Sequence, residues 1–235
     1  MQGEKKTNIC PGVASAAAIL HRLGRPGAIR LGATPTGTPT RLPTRLAPLD
    51  ATLDGGLPRG RVSELTGARS TGRTALACTI AAGATGAGEA VAWVDPEDAL
   101  DPEAAALGGL VLERTLWVRP RRLDDALRAT DLLLAAGGFA LVVLDVAESP
   151  AHPHVHWTRL ARAAERTHTA LLVVSKRPHA GATAALTLEV TARRVRWSGA
   201  SGQLVLLDGL TCRVLVARNR LGPPGGTIVL RQACA

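Results

Sequence analysis

Residues Gly67 to Thr74 (GARSTGRT) concentrate the letters of chemistry: two glycines with four residues between them, then a cation and a hydroxyl. Glycines let a tight loop turn its backbone N–H groups inward. A helix starting at once adds the positive end of its dipole, so such a loop can hold phosphate oxygens. The spacing matches G-x-x-x-x-G-K-[ST] at every fixed position except the lysine, which is Arg73. A lysine there is a compact point charge, whereas arginine carries its charge on a bulkier, planar, forked group. A glycine-rich turn without a ligand uses the same letters, and on the loop alone the two readings balance.

Other residues could take part in chemistry. Asp145 closes the apolar run that starts at Phe139, where a carboxylate either opens a loop or holds a divalent cation near phosphates. His152, His154 and His156 alternate in H-P-H-V-H, a spacing that can chelate a metal when extended. No third-element ligand accompanies them, and an exposed polar loop is the expected reading. Cys10, Cys78, Cys212 and Cys234 form no C-x-x-C pair, which fits neither a zinc site nor a disulfide framework and favours a reducing cytoplasm.

The 28 lysines and arginines exceed the 19 acids by nine, and the pI is about 10.8. Such an excess favours polyanionic partners, nucleic acid first. Arg193, Arg194, Arg196 and Arg213 form a basic group that few carboxylates neutralise, either a solvated face or a phosphate-contacting stripe. With no tyrosine and one phenylalanine, a platform of many stacked aromatics is excluded. Trp93, Trp117 and Trp157 all read as core. The apolar runs are too short to cross a bilayer, and residues 13–20 are too short for a signal peptide, so no membrane role is expected.

The elements that would position these residues alternate. Buried-type strands are predicted over 61–66, 90–95, 115–118, 139–146 and 170–175, with helices over 74–85, 101–107, 122–136 and 156–168. Beyond Lys176 the period changes to strands alone, over 184–197, 204–207, 212–217 and 227–230. This order predicts an α/β fold with a mostly parallel central sheet, flanked by helices and extended by antiparallel strands at the C-terminal end. Residues 1–45 read as a short helix at 14–23 followed by a Pro/Thr/Gly-rich tether, with the core domain over 46–235.

Three segments taken in order resemble the RecA family: Leu49-Asp50 with Gly55 to Arg61 (GGLPRGR), the loop at Gly67 to Thr74, and Asp95 to Pro102 (DPEDALDP). The resemblance covers Leu46 to Arg231 and implies a RecA-like P-loop fold. It makes Gly67, Ser70, Thr71, Gly72, Arg73 and Thr74 nucleotide-binding positions and Asp145 the magnesium position. Glu97 falls where the family carries the glutamate that activates the attacking water. Arg218-Asn219-Arg220 resembles the family's K-N-K segment, which implies an inter-subunit role for Arg218 and Arg220.

Four departures shape the expected function: Arg73 in place of lysine, Lys176 in place of a coupling glutamine, DNA loops cut to about 147–155 and 176–182, and no large C-terminal domain. Lys176 and Arg177, within the second of these loops, join the candidate DNA contacts. A short, degenerate relative of this kind is similar to the ImuA-type accessory proteins of the bacterial mutasome. The resemblance implies a cytoplasmic, nucleoid-associated non-recombinase in SOS-induced translesion synthesis that restrains RecA recombination. Its implied partners are RecA, a translesion polymerase-like subunit and DNA bound weakly and without sequence preference. It also implies a pseudo-ATPase whose hold on ATP and magnesium is weak or absent. The alternative is an active ATP-dependent recombinase that tolerates arginine in its loop.

Overall fold

Runs such as Phe139–Asp145 (FALVVLD) carry no polar alternation, so both faces of the strand need cover. The computed structural model, which describes residues 40–146, 157–198, 206–223 and 225–233, supplies it. The first half comprises β1 (Arg41–Leu42), α1 (Ala47–Thr52), β2 (Leu57–Pro58), β3 (Val62–Gly67), α2 (Arg73–Gly86), β4 (Ala90–Val94), α3 (Pro102–Leu107) and β5 (Thr115–Val118). The second comprises α4 (Leu123–Ala136), β6 (Phe139–Asp145), α5 (Trp157–Thr167), β7 (Ala170–Ser175), β8 (Leu186–Ser198), β9 (Leu206–Asn219) and β10 (Thr227–Ala233).

Eight strands form one sheet in the order β10-β9-β8-β3-β7-β6-β4-β5. From β8 to β5 neighbours run parallel, while β9 and β10 add antiparallel pairs. Alternate residues serve opposite faces, as the two-residue period of a strand requires. Leu141 and Val143 of β6 pack under α2 with Leu76, Ala77 and Ile80. Val142 and Leu144 pack on the other face with Ala126 and Leu134 of α4 and Leu160 and Ala164 of α5. Each helix thus returns the chain to the bottom of the sheet, and the loops after β3, β4 and β5 collect at one end.

Two expectations change. The tether was expected to reach residue 45, yet Arg41–Leu42 pairs with Leu57–Pro58, and Leu42 and Thr44 are fully buried. Asp50 Oδ1 accepts hydrogen bonds from Thr44 N (2.9 Å) and Thr44 Oγ1 (2.7 Å), fastening this stretch to α1. The Pro/Thr composition hid the apolar positions Leu42, Leu46 and Leu49, which face one core. The strands expected at 204–207 and 212–217 are one 14-residue strand, because Asp208-Gly209 stays within the ladder, with Gly209 opposite Arg196. The predicted helix at 14–23 and the histidine cluster lie outside the described residues.

Candidate nucleotide loop and basic arm

β3 leaves the sheet at Gly67 and α2 begins at Arg73, so the loop sits at the strand-to-helix junction that its letters predict. Gly67 has φ +155°, and a Cβ there would lie 2.7 Å from Val190 O and 2.9 Å from Thr71 Oγ1. Gly72 is left-handed at φ +97° and abuts the Cys212 thiol of β9. Gly67 thus has no room for a side chain, and Gly72 holds a backbone conformation that other residues rarely adopt. Thr71 Oγ1 donates to Ala68 O at 2.8 Å, tightening the tip.

The Arg73 side chain is only 6% exposed, and its Nη1 donates back to the carbonyl of Gly67. The guanidinium therefore reaches across the loop to its first residue. A lysine ammonium could swing toward an incoming phosphate; this planar group is packed into the loop itself. Asp145 stands at the end of β6, 1% exposed. Cys78 on α2 is close enough to feel it: burial first, and the Asp145 carboxylate second, push the thiol from 9.0 up to about 12. Arg73 and Asp145 are thus both buried at the strand ends, and the loop interior fits a magnesium-bound triphosphate poorly because a guanidinium occupies it.

Glu97 is exposed in the loop after β4. The buried acid of that loop is Asp95, which accepts from Ala99 N (3.0 Å), Leu100 N (2.9 Å) and Trp117 Nε1 (3.3 Å). Trp93 and Trp157 pack in the two cores as expected. Trp117 is half-buried, with Arg119 stacked 4.5 Å from its ring centre.

Lys176 and Arg177 are exposed at the start of a connector held down along its length. Ser175 Oγ donates to Arg177 O (2.8 Å), and Glu64 Oε1 accepts from both His179 N and Ala180 N at 2.6 Å. Arg218 donates to Gly181 O, and Arg220 Nη1 to Ala182 O at 2.5 Å. Glu64, fully buried in β3 and also accepting from Thr187 Oγ1 at 3.3 Å, escaped the sequence reading. A glutamate in a short strand looks like the solvent side of an alternating pattern. Burial pushes His179 below its ordinary pKa, against the opposing pull of Glu64. Arg218 stands opposite Thr187 near the start of β8, whereas Gly67 pairs with Val190. The two arginines therefore sit toward the end of the sheet away from the loop.

β8 continues past Val190, its last partner on β3, so residues 191–198 project beyond the loop, paired with β9. On this arm Arg194 faces Thr211, Ala192 faces Arg213 and Arg196 faces Gly209, while Arg193 stands opposite Cys212 on the alternate set. β10 adds Arg231 opposite Thr211. Arg194, Arg213 and Arg231 are exposed and share one face. Arg231 was missed because only cross-strand register brings it there.

A parallel α/β sheet with a glycine loop between its central strand and a helix, extended by an antiparallel arm, defines the P-loop class with a RecA-type topology. The family model described as the RecA N-terminal domain matches residues 13–153, and the chain belongs to that family. It is 43% identical over 91 residues to Protein RecA of Streptomyces venezuelae, covering 39% of this chain and 24% of that protein. To Protein RecA of Mycobacterium ulcerans it is 42% identical over 91 residues, covering 39% of this chain and 26% of that one. The match thus spans about a quarter of the length of these relatives. The crystal structure of the RadB recombinase superposes with a TM-score of 0.62 at 20% identity, covering 81% of this chain and 95% of that one, a likeness of fold. No helix among the described residues is long and apolar enough to cross a membrane.

Proposed function

We propose that this chain is a RecA-fold accessory protein of the ImuA type, acting in DNA-damage tolerance beside a translesion polymerase without turning over ATP. The observation that carries the reading is Arg73, buried and bonded to Gly67 O inside its own loop. The fastened connector supports it as well, since a segment tied at Arg177, His179, Ala180, Gly181 and Ala182 is not free to wrap DNA. The exposed arginines of the arm supply weak, sequence-independent DNA binding through counterion release. Arg218 and Arg220, toward the end of the sheet opposite the loop, suit head-to-tail docking onto a RecA protomer. Such a subunit docks without passing nucleotide-dependent growth along a filament, which restrains recombination.

The test is ATP turnover with and without single-stranded DNA, together with a RecA strand-exchange titration. The expected result is no DNA-stimulated turnover, with exchange inhibited by the wild type and less by Arg218→Ala/Arg220→Ala. Turnover at RecA-like rates that Glu97→Gln abolishes overturns the reading in favour of an active ATPase.

A further inference from the structure

β4 and β5 are neighbours whose following helices leave for opposite faces: Ala105 of α3 packs in the first core, and Ala126 and Leu134 of α4 in the second. Loops that diverge in this way open a crevice at the carboxyl ends of the strands, the general place for ligands in open α/β sheets. Here it has a volume of about 350 Å³ and is lined by Asp95, Pro96, Asp98, Arg119, Pro120 and Arg121. That is the size of a small-ligand pocket.

Its side chains are set in advance. Asp95 directs its oxygens inward to three N–H donors and leaves the Trp117 indole fixed beside the crevice. The Arg119 guanidinium lies on that indole, 4.5 Å from the ring centre, and its edge meets Asp98 Oδ1 at 3.3 Å. The Trp117 ring backs the guanidinium, while the side chain remains 57% exposed. A flat cation held in this manner is a stacking surface for a nucleobase. Pro96 and Pro120 are rigid, apolar walls, and Arg121 is the cation a phosphate would meet.

We infer that the crevice between the loops after β4 and β5 binds one nucleotide unit, its base stacked on Arg119 and its phosphate against Arg121. The inference rests on the nucleic-acid part of the proposed function and is independent of the glycine loop. The same chemistry belongs to a free nucleotide or to one residue of a single strand.

Fluorescence anisotropy of a labelled oligothymidylate, with AMP as competitor, tests it on the full chain. Arg119→Lys keeps the charge and the Asp98 pairing at an exposed position, so folding is not at stake. It loses the plane, and affinity should fall about fivefold or more with an unchanged salt slope. Arg121→Ala should lower the slope by about one. Oligomer binding should also quench tryptophan emission, a signal lost in Trp117→Phe. Displacement by AMP identifies a free nucleotide as the occupant; binding that AMP leaves untouched identifies a strand. Affinities of Arg119→Lys and Arg121→Ala within about twofold of wild type overturn the inference. If in that case Arg194→Ala/Arg213→Ala still abolishes binding, the crevice alone is refuted and DNA binding by the arm stands.

Discussion

The glycine loop and the crevice after β4 and β5 lie at the same end of one sheet, and they treat their arginines in opposite ways. Arg73 is turned inward and donates to its own loop, while Arg119 lies over the Trp117 ring with its side chain 57% exposed. The connector and the arm repeat the contrast: the first is tied to Glu64, Arg218 and Arg220, the second carries Arg194, Arg213 and Arg231 outward. Where a guanidinium already spends its donors limits what it can bind, so charge counted along the chain does not locate a site.

The largest test of this contrast is Glu64. Glu64→Leu leaves His179 N and Ala180 N without acceptors in a buried place, and should cost about 3 kcal/mol or more in urea unfolding. A loss within about 0.5 kcal/mol would mean the connector is not held by this carboxylate. Next comes the loop. Gly67→Ala forces a Cβ to within 2.7 Å of Val190 O, and should cost about 2 kcal/mol by the same measurement.

Cys78 gives a pH signature. Its thiol, at 9.0 when unfolded and about 12 when folded, favours the native state fully below pH 9. That contribution is lost as pH rises from 9 toward 12, because the unfolded chain gives up its proton first. Cys78→Ser should flatten the alkaline limb of stability against pH, and native Cys78 should react slowly with thiol reagents at pH 8. Arg194→Ala/Arg213→Ala should have the smallest effect on stability, within about 0.5 kcal/mol, since both side chains are exposed. Its effect is on binding, where the slope of log affinity against log salt should fall by about two.

Most of the fold was legible because it depends on short-range letters. The unbroken apolar runs at 90–94, 139–144 and 170–174 and the glycines at 67 and 72 announce buried strands and a strand-to-helix turn without reference to anything distant. The candidate site was legible in place and illegible in direction. Arg73 could be read as a cation at a phosphate position, yet where its guanidinium points depends on packing. Glu64 and Arg231 acquire their meaning from partners more than a hundred and about twenty residues away, through strand pairing that no local pattern encodes.

The register shift in β8 decides which side of the arm is basic. Val190 faces Val214, but the next paired residue is Ala192 opposite Arg213, so Thr191 is extra. A one-residue slip exchanges the two faces of a strand. Were Thr191 paired with Arg213 in unbroken register instead, Arg193 would stand opposite Thr211 and Arg194 opposite Leu210, moving Arg194 off the face it shares with Arg213. The polarity of the arm is thus inherited through one bulge as much as through composition. A lineage could lose it, or recover it, by a shift of register that pairs or frees Thr191 and changes no arginine.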